Sequence, residues 1–434
     1  MNQEGYSYQE HQSYPEQSLG YNPFIYNSRA VFGTTVYDWQ AGINVDRLRK
    51  ERLERARAKM KEHGLDAMVL FNGENIRYTT GVWQGNWKAN ILVRYAVVPL
   101  NGEPVLFETA GADLQNAIID APWLEGHIKP AILWVWSGAA QEVQARRMAE
   151  GIKEVLKEYK LMDGNIGVDS PDWMAYKALK DVGLNIQNAW PTMSDARIVK
   201  TRDELELSKR SAAMVNAVFA RIKNEWLKPG ITENELAAKF VEYMVAHGFE
   251  AIPQLIVASG RNTNPYRRWT TDKIIQEGDL VIIDIAAPGP LGYWEDFTRT
   301  FVAGDAKPSE EDKNTYWEVY QSLQDAIKAI KPGATTRDIA EKFPVYDDDK
   351  YRTCSLFQFA HSIGLSLYEG IWVSRGFSLE YPQKIEPNMY LAIETYVGKP
   401  GRKHGVRLEH NVVVNEAGTA EIYSNYSMME DLFT

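Results

Sequence analysis

The stretch that decides the fold occurs twice: "LKPGITENELAAKF" at residues 227–240 returns as "IKPGATTRDIAEKF" at residues 330–343. Each copy places Pro-Gly before a threonine, and an apolar-periodic helix ending in Lys-Phe follows. Thr232 and Thr335 each begin a capping-box sequence, in which an acidic side chain three residues later closes the first helical turn. The sequence therefore predicts a helix at the same place in both copies.

The similarity continues downstream of these helices. "PQLIVASG" (253–260) has a counterpart in "FQFAHSIG" (357–364), and "GDLVIIDI" (278–285) has a looser one in "PNMYLAIET" (387–395). Three matches in the same order, at a similar offset, indicate a duplicated helix-strand-strand unit. We predict two similar α+β halves that are related by a pseudo-two-fold axis and whose strands meet in one sheet.

The chain has 434 residues, which is long enough for two domains with sizeable cores. Residues 1–40 are rich in Tyr, Gln, Ser and Asn, and we predict an irregular arm there. Short apolar strands, among them "AILWVW" (131–136), alternate with helices and predict a mixed α/β domain over residues 41–196. Residues 197–434 then form the duplicated domain.

Composition excludes several classes of protein. The net charge is −10 and no run of Lys or Arg is present, which argues against nucleic acid and membrane surfaces as partners. A single cysteine, Cys354, allows no intramolecular disulfide and fits a reducing compartment. The N-terminus lacks the pattern of a secretory signal, and no apolar stretch approaches the roughly 18 residues that span a bilayer. We predict a soluble, cytoplasmic protein.

Acidic or imidazole side chains interrupt five apolar strands of the second half. They are Asp284, Asp296, His361, Glu394 and Glu409. Any one of them alone is more typical of a paired or strand-edge charge than of a ligand, but four buried carboxylates without partners would cost several kcal/mol each. Two divalent cations would neutralise four carboxylates, and oxygen-rich ligation with one imidazole suits Mn²⁺, Fe²⁺, Co²⁺ or Zn²⁺. The set predicts a two-metal site.

This order of residues resembles the pita-bread metallopeptidase superfamily, which includes methionine aminopeptidases, aminopeptidase P, prolidase and creatinase. The resemblance rests on an Asp, a second Asp in "DFTRTF", a His followed by x-x-Gly, a Glu in an apolar strand and a Glu in "VRLE". The first half is similar to the creatinase/prolidase N-terminal domain, including "ENIRYTTG" (74–81). The resemblance implies a creatinase-like N-terminal domain, a pita-bread C-terminal domain, the five residues as metal ligands, a small-molecule substrate and a homodimer.

The chain departs from the peptidases at their proton-handling histidines. Leu365 stands where the peptidases carry a second histidine, and no histidine lies between His247 and His361, where "ASGRNTNPYRRWTTDKI" replaces the upstream one. His410 replaces the acidic residue that usually follows the last ligand. Ordinary cleavage of proline peptides is therefore in question.

The dimethylsulfoniopropionate lyase branch of the superfamily departs in similar ways. It resembles this chain in an "SG-x-x-TNP" stretch, in the leucine and in the 12-residue spacing of the two aspartates. Two lyase aspartates are absent, because Ala286 and Leu367 occupy their positions here. The leading hypothesis is a lyase that eliminates acrylate and dimethyl sulfide. The alternative is a metal-dependent hydrolase, either Xaa-Pro dipeptidase- or aminopeptidase P-like or a creatinase-like amidohydrolase. A binding module without catalysis is disfavoured because all five ligands are present.

Candidate catalytic and substrate-binding residues follow from proximity to the ligands in sequence. Glu369 is a candidate base, with an exposed glutamate at a helix start as the alternative, and Tyr368 is either a second base or a wall of the pocket. Candidates for substrate binding are Tyr266, Trp269, Trp372 and Arg375, with Arg267 and Arg268 beside them. Aromatic walls would suit a sulfonium or quaternary ammonium group, although aromatic residues near strands are often core.

Overall fold

The computed structural model describes residues 43–82, 94–345 and 358–434. The chain divides into two compact units, residues 1–197 and 198–434. The predicted N-terminal arm and Cys354 lie outside the described residues.

The first unit is a mixed α/β domain around one sheet, as the sequence predicts. Its helices are α1 (Val45–Glu62), α2 (Gly73–Thr80), α3 (Ala112–Asp120), α4 (Gln141–Glu158), α5 (Trp173–Asp181) and α6 (Trp190–Ile198). Its strands are β1 (Ala67–Leu70), β2 (Tyr95–Pro99), β3 (Val105–Glu108), β4 (Ile128–Pro130), β5 (Asn165–Val168) and β6 (Asn185–Asn188). They form a six-stranded sheet in the order β4-β3-β2-β1-β5-β6, with both parallel and antiparallel neighbours.

The strand predicted over "AILWVW" is wrong. The edge strand β4 ends at Pro130, and residues 131–136 form no ladder. Trp134 is completely buried in the core, and its indole nitrogen donates to the carboxylate of Asp172, which caps helix α5. The apolar run therefore supplies a core tryptophan, which periodicity cannot distinguish from a short buried strand.

The second unit contains the duplicated elements. Its helices are α7 (Arg202–Arg221), α8 (Glu233–Ala246), α9 (Glu310–Lys328) and α10 (Thr336–Ala340). Its strands are β7 (Gln254–Ser259), β8 (Leu280–Pro288), β9 (Trp294–Val302), β10 (Ala360–Ser362), β11 (Trp372–Val373), β12 (Tyr390–Val397), β13 (Val406–Val414) and β14 (Ala420–Ile422).

The predicted duplication is confirmed in both helix starts and strand order. Capping boxes begin α8 at Thr232 and α10 at Thr335, and each of these threonines forms an isolated bridge, to Ile274 and to Lys384 respectively. Strands pair as β7-β8-β9 in the first half and as β10-β12-β13 in the second. The two halves therefore repeat the helix start and the order of three strands. The predicted common helix end is wrong, because α8 continues to Ala246 whereas α10 ends at Ala340.

The two halves do not form one sheet, contrary to the prediction. The three-stranded sheet ends at β9, and β13 belongs to a separate five-stranded sheet. The hydroxyl of Thr300 on β9 donates to the carbonyl of Arg407 on β13 and accepts from its amide, at 2.7 and 3.2 Å. Side chains thus bridge the two strands, where a continuous sheet would have a main-chain ladder.

Within the three described ranges, no helix combines the length and the apolar composition that crossing a bilayer requires.

Candidate metal centre

The first two predicted ligands lie on neighbouring strands of the three-stranded sheet. Asp284 on β8 is in register with Thr298 on β9, and Asp296 lies two residues from Thr298. Because side chains alternate across a strand, Asp284 and Asp296 project from the same face as diagonal neighbours.

The other three predicted ligands share one face of the five-stranded sheet. Glu394 on β12 lies directly opposite Glu409 on β13, and His361 on β10 is paired with Ala392, two residues before Glu394. Like charges directly opposite each other destabilise a strand pair, so positive charge or a proton beside the two glutamates would stabilise this register.

The structure brings three predicted ligands together closely enough to hold one ion. Ligand atoms of Asp296, His361 and Glu409 all lie within 4.8 Å of one another, and all three residues are buried. Nε2 of His361 lies 3.4 Å from a carboxylate oxygen of Asp296 and 3.7 Å from one of Glu394.

Buried polar atoms without hydrogen-bond partners indicate whether the centre fits divalent metal. Four buried ligand atoms have no hydrogen-bond partner among the described residues: Asp284 Oδ1, Asp296 Oδ1, His361 Nε2 and Glu409 Oε1. An unpartnered buried polar atom costs about 1–3 kcal/mol, more when it is charged, and cations would satisfy all four at once. Glu394 differs, because its Oε1 accepts from Gln358 Nε2 at 2.7 Å. The donor set therefore fits divalent metal.

Arg407 is a member of the centre that the sequence analysis missed. Its guanidinium lies 2.7 Å from Asp284 Oδ2 and 3.5 Å from Glu409 Oε2, and it also pairs with Glu394. Arg407 precedes Glu409 by two residues on β13 and therefore shares its face. Strand alternation applied to the quoted "VRLE" would have found it. With His361 neutral and all four carboxylates ionised, which is the state that metal ligation requires, the carboxylates and the arginine give −4 + 1 = −3.

The ionisation of the ligands reflects their burial and crowding. Burial, together with the charges of Asp284 and Glu394, raises the pKa of Asp296 to about 6. Burial and the neighbouring carboxylates also raise the pKa of Glu409 well above its ordinary value. For His361, burial lowers the pKa, but the carboxylates of Asp296 and Glu394 outweigh it and raise the pKa overall. Protons therefore compete with metal for these ligands.

Tyr266 contacts the ligands directly. Its hydroxyl donates to Asp284 Oδ2 at 3.1 Å and lies 3.2 Å from a guanidinium nitrogen of Arg407. Its ring stacks on Tyr396 at 5.3 Å. Burial and the charge of Asp284 raise the pKa of Tyr266 well above its ordinary value, so the hydroxyl stays protonated.

Tyr368 and Trp372 lie beside His361. The ring of Tyr368 lies 4.7 Å from that of His361, and Trp372 lies opposite His361 across the β10–β11 ladder. The indole nitrogen of Trp372 is buried without a partner among the described residues. Tyr368 is 42% exposed, so it is not a core residue. Burial and the charge of Asp296 raise its pKa to about 12, which makes it a hydrogen-bond donor at neutral pH.

For the other predicted substrate-binding residues, the structure gives no hydrogen bond or ring contact to the predicted metal ligands among the described residues. Trp269 is 57% exposed, which contradicts the core interpretation, and the guanidinium of Arg267 lies 5.0 Å over its ring. The positive charge of Arg268 lowers the pKa of Tyr266 and of Tyr368, against the larger effect of burial, which raises both. Arg375 donates to the main-chain oxygen of Phe343. A substrate-binding role for these residues stays a prediction.

Glu369, the predicted base, is not an exposed residue at a helix start. It is buried and forms a 2.6 Å ion pair with Lys200, whose side chain is also buried. Its second oxygen accepts from the amide of Ser366 at 3.0 Å. A role as base stays a prediction, and it would require Glu369 to leave this ion pair.

Two protein families match the chain. Residues 206–416 match metallopeptidase family M24, and residues 52–199 match the creatinase/prolidase N-terminal domain.

Similar proteins include dipeptidases and one lyase. The probable dipeptidase PepE of Mycobacterium tuberculosis is 30% identical over 52% of this chain, and this chain spans 58% of its length. The dimethylsulfoniopropionate lyase DddP of Roseovarius nubinhibens is 23% identical, over 94% of both chains. The crystal structure of dipeptidase PepE from Mycobacterium ulcerans superposes with a TM-score of 0.71 at 25% identity, covering 88% of this chain and 96% of that one.

Proposed function

The chain belongs to the pita-bread superfamily of metalloenzymes, and we propose that within it this protein is a metal-dependent hydrolase of small substrates of the dipeptide kind. We further propose that two divalent ions, Mn²⁺, Fe²⁺, Co²⁺ or Zn²⁺, are held by Asp284, Asp296, His361, Glu394 and Glu409. A homodimer and a cytoplasmic location remain predictions.

One observation carries the metal-dependent part of the proposal: four buried atoms of predicted ligands on four strands lack partners among the described residues, and three of the predicted ligands lie within reach of one ion. Polar atoms are left in this state where an ion completes their coordination. When bound, divalent ions would supply Lewis acidity toward a carbonyl and lower the pKa of water. The choice of a hydrolase is supported by the similarity to the dipeptidases.

The residues of the chain supply binding and orientation. Tyr368 is protonated at neutral pH and partly exposed, so it can donate a hydrogen bond to a substrate oxygen beside His361. The unpartnered indole N–H of Trp372 offers a second donor on the same face of the sheet. The positive charge of Arg268 near Tyr368 favours substrates that carry a carboxylate.

A lyase acting on dimethylsulfoniopropionate is the second candidate. It is favoured by the similarity to DddP over 94% of both chains and by the absence from the sequence of a histidine between His247 and His361. It is disfavoured by Ala286 and Leu367, and by the ion pair that occupies Glu369. An elimination would need another base within reach of the substrate.

Incubation of metal-loaded protein with two substrate classes tests the proposal. Dipeptides should release free amino acids, and dimethylsulfoniopropionate should release no acrylate. Xaa-Pro dipeptides form a separate arm of the test, because both proton-handling histidines of the proline peptidases are absent. Removing metal with a chelator, or replacing a ligand in Glu409→Gln, should abolish turnover. Acrylate without dipeptide cleavage would replace the hydrolase by the lyase, and metal content near zero after loading would overturn both.

A further inference from the structure

Tyr266 lies in the segment that replaces the upstream histidine of the peptidases. Its hydroxyl donates to Asp284 Oδ2 at 3.1 Å, and Arg407 holds the same oxygen at 2.7 Å. The other oxygen, Oδ1, has no partner among the described residues. We propose that Tyr266 is a positioning residue, which holds Oδ2 of Asp284 so that Oδ1 is the atom presented to metal.

The loop before Tyr266 is anchored through Thr263. The hydroxyl of Thr263 donates to the carbonyl of Gly260 at 2.6 Å and accepts from the amide of Gly405 at 3.0 Å. Its carbonyl accepts from the hydroxyl of Tyr396 at 2.8 Å. The main chain three residues before Tyr266 is thus fixed on both sides.

Asn264 extends this anchorage to the turn between β12 and β13. Its amide nitrogen donates to the carbonyls of Lys399 and Arg402, at 2.8 and 2.9 Å. Tyr396, at the end of β12, stacks on the ring of Tyr266. The tyrosine therefore rests on residues 396–405.

Three side-chain contacts, two of them ion pairs, join this turn to helix α9. They are His404–Asp312 at 2.9 Å, Arg402–Glu311 at 2.7 Å and Lys399–Glu318 at 3.1 Å. Asp312 also closes the capping box that begins α9. A continuous series of contacts thus runs from the start of α9 to the hydroxyl on Asp284.

The consequence concerns metal affinity. A carboxylate can turn about its last side-chain bond, and a donor on one oxygen limits that rotation. Partners that orient a ligand in this way typically change metal affinity by about 10–100-fold. The inference rests on the proposed metal-dependent function, but it concerns binding and not turnover.

Titration calorimetry of the metal-free full-length chain with Mn²⁺ tests it. Tyr266→Phe keeps the ring and its stacking and removes only the hydroxyl. We expect its Kd for Mn²⁺ to rise about 10–100-fold. The midpoint of metal-free thermal unfolding should shift by no more than about 3 °C, since Arg407 still pairs with Asp284. Tyr381→Phe, which alters a tyrosine that is 68% exposed, is the matched control and should bind as the unmodified chain does.

The supporting loop gives a second, independent test. Thr263→Val removes the hydroxyl that joins Gly260 and Gly405, and it should weaken Mn²⁺ binding in the same direction. In the double variant with Tyr266→Phe, Thr263→Val should add little further loss of Mn²⁺ affinity, because both changes act through the hydroxyl of Tyr266. Fully additive losses would contradict this route.

Two failures can be told apart. If Tyr266→Phe binds Mn²⁺ as tightly as the unmodified chain, the positioning role is wrong and the metal centre stands. If the unmodified chain binds no Mn²⁺, Fe²⁺, Co²⁺ or Zn²⁺, the proposed function falls and the positioning role falls with it.

Discussion

At the scale of single residues, Arg407 offsets part of the negative charge of the centre. It lies among Asp284, Glu394 and Glu409, and its own side chain is only 2% exposed. Burial by itself lowers the pKa of Arg407, but the surrounding carboxylates raise it well above its ordinary value. Removing one member of a buried charge cluster leaves the others uncompensated, which costs more than the cluster contributes as a whole.

Replacing this arginine should therefore destabilise the metal-free protein. We expect Arg407→Gln to lose about 3–5 kcal/mol of unfolding free energy without metal, and to recover part of it when divalent metal neutralises the carboxylates. Chemical denaturation with and without Mn²⁺ measures both values. Arg402→Gln, which removes a pair whose side chains are 54% and 40% exposed, should cost at most about 1 kcal/mol. Equal losses in the two variants would contradict the role given to Arg407.

The raised pKa of Asp296 predicts the pH dependence of metal binding. The pKa of Asp296 is about 6, so at lower pH this carboxyl holds a proton that metal must displace. The raised pKa of Glu409 acts in the same direction. Affinity for Mn²⁺ should thus fall as pH is lowered from 8 to 5, and the part of the fall due to Asp296 should approach tenfold per pH unit only below about pH 6. Calorimetry across this range checks it, and an affinity independent of pH would refute the burial argument.

At the scale of elements, the loop from Ser362 to Ile371 carries Tyr368 and is built around the Lys200–Glu369 pair. The amide of Glu369 donates to the carbonyl of Ser362 at 2.9 Å, and the amide of Ile371 is bonded back to the carbonyl of Glu369. A β-carbon on Gly364 would lie 2.6 Å from a carboxylate oxygen of Glu369. Glycine at this position is what allows the ion pair to close beneath the loop.

The ion pair gives a prediction that separates a structural glutamate from a catalytic one. Glu369→Gln leaves the charge of Lys200 buried and unpaired, so it should lose about 3–5 kcal/mol of unfolding free energy. The double variant Lys200→Met, Glu369→Gln should lose less than the sum of the two single losses.

Lys328→Met is the control, because its side chain is 72% exposed and its pair with Asp325 is 3.8 Å long; it should leave stability nearly unchanged. Loss of turnover with unaltered stability in Glu369→Gln would instead support the role of base.

At the scale of the whole C-terminal unit, Arg299 joins the two halves and the end of the chain. From β9 its guanidinium donates to the carbonyl of Glu409 on β13 at 2.6 Å. It also donates to the carbonyls of Ser424, Tyr426 and Ser427 at 2.7–3.1 Å. One completely buried side chain on β9 thus donates both to β13 and to residues 424–427.

Loss of Arg299 should weaken this connection. Arg299→Met leaves several buried carbonyls without their donor, and we expect a loss of about 3–5 kcal/mol in urea denaturation, with faster proteolysis after residue 423. Arg146→Met, on a side chain that is 71% exposed, should change neither measurement appreciably. Unchanged proteolysis in Arg299→Met would show that other contacts hold the C-terminal segment.

Much of the fold was predictable because its signals are local. Capping boxes at Thr232 and Thr335 act within one helical turn, and alternation along a strand decides which side chains share a face. The same alternation underlies the placement of the five predicted ligands. The strand predicted over "AILWVW" was wrong because a loop that buries Trp134 in the core has the same apolar run as a short strand.

The sequence by itself determined the duplicated unit and the strands that carry the candidate ligands, since both depend on neighbours a few residues apart. Only the tertiary structure decided which charges meet. Arg407 joins Asp284 from 123 positions away, and Lys200 joins Glu369 from 169. Long-range ion pairs have no periodic signature along the chain, because they depend on how the two halves pack and on which buried charges need a partner.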